Sequence, residues 1–142
     1  VIIEHENDTL QALCRTKNSY IAQTWSLDSG RSWGALELTN LINPNAAIDA
    51  IKVGNLGFLL LYNNCQSARY RLTIAVSING IDWVDKLTLE HSMGEFSYPS
   101  ITFCDKGSLH VLYTHNRRNI KHAELTKQEV IDLFEGESNA SV

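Results

Sequence analysis

The stretch SLDSGRSW at 26–33 meets the pattern S-x-D-x-G-x-[TS]-W at every specified place. Each specified residue has a physical task in a tight turn between two strands. Ser26 and Asp28 carry short polar side chains that bond backbone amides inside the turn. Gly30 supplies a positive φ at no steric cost, and Trp33 is expected to fold back as an apolar plug between neighbouring strands. A second, shorter copy, SINGIDW at 77–83, keeps Ser77, Gly80 and Trp83 and has Asn79 where the first copy has aspartate.

On either side of these turns lie short β-type runs bounded by turn residues. The first set is VIIEH (1–5), LQALCR (10–15) and YIAQTWS (20–26). AIDAIKV (47–53), FLLLYN (58–63) and RLTIAVS (71–77) form the second. YPSITF (98–103), LHVLYT (109–114) and NIKHAEL (119–125) form the third. Overlaid, the sets make an internal repeat of about 50 residues, with Leu13, Leu61 and Leu112 at equivalent places. In the first two sets the Trp turn leads to a fourth short strand, GALELT (34–39) or DKLTLE (85–90).

The expected fold is therefore all-β and β-propeller-like, with about three four-stranded antiparallel blades, half of a six-bladed ring. The blades fall at about 1–40, 46–90 and 96–125, inside a unit spanning 1–125. A sandwich can use similar hairpins but gives no reason for the repeated Trp turn. In 126–142 a short helix is expected over KQEVIDLF (127–134), followed by a loose tail. Thr126 and Glu129 form a capping box there, and Gly136 stops the helix.

Of the 142 residues 44% are hydrophobic and 20% charged, the composition of a folded globular chain. No apolar run approaches the roughly 20 residues of a membrane span. The net charge of -4 and a lone dibasic pair, Arg117-Arg118, argue against nucleic acid as a partner. Cys14, Cys65 and Cys104 are widely spaced and expected to be buried thiols. The five histidines show no metal-ligand spacing, although His110 and His122 can face each other on adjacent strands. Neither a metal nor another cofactor is expected, and no phosphate loop or nucleophile elbow is present. Sequons at Asn7 and Asn139 leave the compartment open.

The two Trp turns and the strands around them resemble the sialidase (neuraminidase) family with BNR, or Asp-box, repeats, six-bladed propellers that hydrolyse terminal glycosides. The likeness runs through about 1–125. It implies that the Asp-box residues Ser26, Asp28, Gly30, Trp33, Ser77, Asn79, Gly80 and Trp83 are structural and stand away from the active site. IIEHENDTLQALCRT (2–16) resembles a segment ending in one of three arginines that clamp the substrate carboxylate, matching Arg15. RYRLTIAVS (69–77) resembles the strand preceded by another, matching Arg69, with Arg71 as second choice. SYPSITFCDKGSLHVLYT (97–114) resembles the stretch that opens on the tyrosine nucleophile, matching Tyr98. NPNAAIDA (43–50) and NRRNIKHAEL (116–125) look like a divergent sialidase-like branch.

The combination makes chemical sense. A guanidinium holds a carboxylate through two parallel charge-assisted hydrogen bonds. Sialidases are the glycosidases that use a tyrosine nucleophile. Nearby cations, with a carboxylate to take the proton, make the phenol competent, and Glu95 stands three residues before Tyr98 as a possible helper. The family's first arginine and its aspartate acid/base belong to N-terminal blades that this sequence does not contain. The resemblance thus implies an active site incomplete in one chain, and loss of the acid costs roughly 10²–10⁴-fold.

Plainer roles compete with these. Arg15 can pair with Glu4 or Asp28, Arg69 can be a solvated charge, and Tyr98 can pack at a blade edge. The expected function is binding or cleavage of a glycan with a terminal acidic sugar. The alternative is a non-catalytic glycan-binding or assembly module that forms a propeller by self-association. Three blades leave two apolar flanks, so either self-association or a missing N-terminal half is expected to cover them.

Overall fold

The fold is described over residues 1–137 of a computed structural model; the Asn139 sequon and most of the expected loose tail lie outside the described residues. In chain order the strands are β1 (Ile2–Glu4), β2 (Leu10–Cys14), β3 (Tyr20–Ser26), β4 (Glu37–Ile42), β5 (Asp49–Val53) and β6 (Gly57–Tyr62). They continue with β7 (Arg71–Ser77), β8 (Val84–His91), β9 (Phe96–Phe103), β10 (Leu109–His115) and β11 (Asn119–Leu125), and helix α1 (Lys127–Leu133) follows. They form three antiparallel meanders, ordered β1-β2-β3-β4, β5-β6-β7-β8 and β9-β10-β11.

The repeat read from the sequence therefore gives two four-stranded sheets and one of three strands. After β11 the chain turns into α1 instead of a fourth strand. Thr126 sets that turn: its hydroxyl accepts from the Glu129 amide at 3.2 Å, and the Glu129 carboxylate accepts from the Thr126 amide at 2.7 Å. The helix then lays Val130 and Phe134 into the core. Strand β4 starts three residues later than its apolar run suggests. Gly34 still bonds Trp25 O at 2.8 Å as part of the turn, and the ladder to β3 slips between Tyr20 and Ala22.

The middle sheet is covered on both faces, and period-2 alternation in β6 divides its side chains between two cores. Phe58, Leu60 and Tyr62 pack with Ile3, Leu13, Ile21 and Leu41 of the first sheet. Leu59 and Leu61 pack with Ile101, Leu109, Val111 and Tyr113 of the third. Each such side chain contributes about 1.5–3 kcal/mol of burial.

The two Trp turns repeat one hydrogen-bond scheme. Ser26 Oγ accepts from the Gly30 amide at 2.8 Å and Ser77 Oγ from the Gly80 amide at 2.9 Å. Asp28 accepts from the amide and hydroxyl of Ser32, bonds that hold its carboxyl down to about 2. Asn79 Oδ1 takes the amides of Ile81 and Asp82 instead. The indoles donate to Gly30 O and Gly80 O at 3.2 and 3.1 Å.

Two expectations need correction. Trp83 packs against the core between the first and second sheets, whereas Trp33 is 38% exposed and outside both core clusters. By the repeat it faces the side of the first sheet against which no described sheet lies. Of the cysteines only Cys65 is buried; Cys14 and Cys104 are half-buried. Hydrogen bonding from His110 brings the Cys104 thiol down to about 7. His110 and His122 do face each other, with Nδ1 and Nε2 2.9 Å apart.

Gly57 opens β6 at a φ of 139° where a Cβ would run into Ser77 O and, at 2.9 Å, into Ile78 Cα. Gly57→Ala should therefore cost about 2–4 kcal/mol. Urea unfolding reads this directly, and an unchanged midpoint would refute the close approach of the two strands.

Candidate functional site

A meander sends alternate connections to opposite ends. The β3–β4 and β7–β8 connections, which hold both Trp turns, lie at one end with the start of α1. The β2–β3, β4–β5, β6–β7, β8–β9 and β10–β11 connections lie at the other. Arg15, Arg69 and Glu95 all belong to this second end, and Tyr98 stands close to it near the start of β9. The Trp-turn residues are thus a strand's length away from the candidate site.

The backbone under the site is tied across sheets. The Phe96 amide donates to Arg69 O at 2.8 Å. Buried Asn63 donates through Nδ2 to both Arg71 O and Phe96 O at 2.7 Å. Asn116, in the β10–β11 turn, accepts the Glu95 amide on its side chain and donates its own amide to Glu95 O. These bonds fix the start of β9, in the third sheet, against the second.

Tyr98 then breaks the strand rule. Its φ is 52°, in the left-handed region, and the β9–β10 register slips there between Leu112 and Thr114. Left-handed geometry at a bulky residue is sparsely populated and concentrates at functional sites. Beside this slip, on the edge strand β9, Tyr98 is 54% exposed.

The Arg69 guanidinium lies over that ring, 5.3 Å from its centroid. Hydrogen bonding from Arg69, then its charge, then hydrogen bonding from Arg15 lowers the Tyr98 pKa by favouring the phenolate. Tyr62 and Tyr113 go the other way: burial, then Asp85 and Glu90 respectively, raises them.

The structure brings Arg15, Arg69 and Tyr98 together. Among the described residues Arg15 pairs with neither Glu4 nor Asp28, and Arg69 is no solvated charge, its side chain being 19% exposed. Arg71 instead lines a separate cleft with Tyr62, Asn64 and Asp85. Glu95 is engaged elsewhere than on Tyr98: its carboxylate receives Arg117 Nε at 2.9 Å and stands 3.6 Å from Arg69 Nη1. Arg117 is the residue that sequence reasoning missed. It sits in a two-residue left-handed turn with Asn116, and its only sequence signal is the NRRN run at 116–119. Among the described residues no group of three or more His, Cys, Asp or Glu is arranged to hold a metal.

The model of the BNR repeat-like domain family matches residues 1–111. The intramolecular trans-sialidase from Ruminococcus gnavus is similar in structure, with a TM-score of 0.71 and 21% identity over 91% of this chain and 32% of that one. The Hadza microbial sialidase Hz136 gives 0.72 and 21% over 89% of this chain and 27% of its own. The leech intramolecular trans-sialidase gives 0.72 and 16% over 96% and 24%. The chain spans about a third or less of the length of these structures. At such identities the likeness is one of fold, the bladed sheets of a sialidase-type propeller. No curated protein is significantly similar in sequence.

The arginine environment makes Tyr98 the phenol to watch in an alkaline titration. Followed by ultraviolet difference absorbance, one tyrosine should ionise below the ordinary range and vanish from the curve in Tyr98→Phe. Arg69→Ala should move that step upward; a low step surviving in Tyr98→Phe would refute the assignment.

Proposed function

Since this chain belongs to the BNR repeat-like family, we propose that it is a sialidase-related domain that binds a terminal acidic sugar by its carboxylate. The observation that carries this reading is the convergence of Arg15 and Arg69 on the exposed phenol of Tyr98. Two guanidiniums offer parallel donors that match one carboxylate, and an exposed phenol between them suits the position beneath the anomeric carbon. Solved structures of the same fold are named as sialidases and trans-sialidases, which makes sialylated glycans the first ligands to try.

Binding is the part of the chemistry that these residues support best. Tyr98 holds the nucleophile position, but Glu95 is committed to Arg117 and Arg69 and so steadies the clamp instead of taking the phenol's proton. Cleavage would need a general acid and a base for Tyr98, groups that we place in further blades. Those blades, from a longer chain or a second copy, would also cover Ile2 and Leu38 on the first sheet and Leu112 and Ile120 on the third, all exposed. The Ser26–Trp33 and Ser77–Trp83 turns serve as Asp-boxes that hold hairpins in shape at the far end.

Calorimetric titration with sialyl glycans tests this. Arg15→Ala and Arg69→Ala should each weaken binding about ten- to a hundredfold, the worth of a charge-assisted hydrogen bond or pair. Neutral glycans of the same size should not bind. Full affinity in both variants would overturn the clamp.

A further inference from the structure

At the Trp-turn end, away from the clamp, a cavity of about 310 Å³ opens between the second sheet, the third sheet and α1. Val53, Leu56, Phe103, Val130 and Ile131 give it an apolar lining, and Lys52 and Lys127 are the only charged residues on it. Nothing in the carboxylate reading uses this place. We infer that the cavity binds a small amphiphilic acid, an apolar acyl or aryl body ending in one carboxylate or sulfonate that Lys52 and Lys127 hold.

The walls are preformed. The Leu56 amide donates to Val53 O at 2.9 Å and closes the β5–β6 turn. The Gly107 amide donates to Cys104 O at 2.9 Å and closes the β9–β10 turn. On the third side the Thr126–Glu129 capping box fixes the start of α1. Gly107 lies at a φ of 86°, and a Cβ there would stand 3.3 Å from Lys127 Cδ. The bare glycine thus leaves room for the aliphatic stem of Lys127 along the turn. The stem joins the apolar wall, and only the ammonium is left to seek a partner.

The lining selects the ligand. Val53 and Val130 are buried, whereas Leu56 and Ile131 remain exposed, so apolar surface continues from the floor to the rim. Such a lining offers water too few polar partners to hold it there. The volume stands at the lower end of ligand cavities, about 300–1,000 Å³, and suits a compact molecule better than a strand or helix of another chain. No carboxylate lines the cavity. Among the described residues Lys127 has no carboxylate within ion-pair distance. Lys52 has one, Glu6 at 3.2 Å, in an exposed and therefore weak pair. Two ammoniums beside apolar walls favour an anionic amphiphile over a neutral one and repel an amine. A lysine is a point cation, so a carboxylate and a sulfonate serve alike.

Octanoate is the probe, titrated into the whole chain and followed by methyl NMR, with octan-1-ol as the uncharged control. One saturable event should shift the methyl signals of Val53, Leu56, Val130 and Ile131 together. Those of the exposed Ile2, Leu38 and Ile120 should stay in place. Octan-1-ol should bind about tenfold more weakly, the worth of one charge-assisted bond. Lys127→Gln keeps the stem and should bring octanoate close to the alcohol. Both lysines are exposed, so this variant should melt like the parent. Arg69→Ala should leave octanoate binding intact, since the cavity is independent of the clamp. Equal affinity for acid and alcohol, or full octanoate affinity in Lys127→Gln, overturns the site. Shifts spread over Ile2, Leu38 and Ile120 would mean adsorption to apolar faces. Pocket shifts that follow protein concentration alone would mean that a second copy fills the cavity. Either result overturns the assignment as well.

Discussion

The structure depends on a sheet that has no solvent face. The middle blade is buried against a neighbour on each side, so every residue of β6 from Gly57 to Tyr62 is inside the protein. Antiparallel sheets ordinarily keep one face in water and read as strict alternation. Here alternation survives only as a choice between two cores, which is why GFLLLY is apolar without a break. That arrangement fixes the angle between sheets, and through Asn63 and the Phe96–Arg69 bond it fixes where β9 starts. The candidate site inherits its geometry from packing that never touches it.

A division of labour between the two ends follows. At one end, Ser–Trp turns close hairpins largely with side chains bonded to their own backbone. At the other, connections are tied to the next blade: Asn43 to Ser19 and Asn63, Arg69 to Phe96. The groups of the candidate site meet at this tied end. Arg15 comes from the first blade, Arg69 from the second and Tyr98 from the third, and no single hairpin could bring them together.

Much of this was legible in the sequence, for reasons specific to particular residues. The Trp turns are legible because the bonds from Ser26, Asp28, Ser77 and Asn79 that shape them lie within the turn itself, so SLDSGRSW and SINGIDW announce themselves. The repeat follows from them, and Thr126 with Glu129 announces α1 in the same way. The start of β4 is hidden because GALELT (34–39) alternates like a strand ahead of Glu37, and only the pairing with β3 decides where the strand begins. Trp33 reads as core because tryptophan usually is, but its burial depends on what lies across the first sheet. Tyr98 was found by resemblance, whereas its left-handed backbone was invisible. A residue before proline is expected to be extended, and nothing in YPS signals otherwise. Arg117 escaped notice since a dibasic pair in a polar turn reads as solvated charge. Only the fold shows that its turn ends beside Glu95.

The two Trp turns carry different acceptors at their centres, Asp28 and Asn79, in a way that separates the blades chemically. Asp28 is a carboxylate held ionised down to about 2, chiefly by the Ser32 hydroxyl and amide, whereas Asn79 has no proton to gain. A carboxyl depressed in the folded state lends stability above its unfolded value near 4, and loses it as the pH falls through the folded one. Acid therefore slackens the Asp28 turn of the first blade, while the Ser77, Ile81 and Asp82 bonds that Asn79 Oδ1 accepts in the second need no ionised carboxylate. Souring the solution would loosen one blade's turn ahead of its neighbour's.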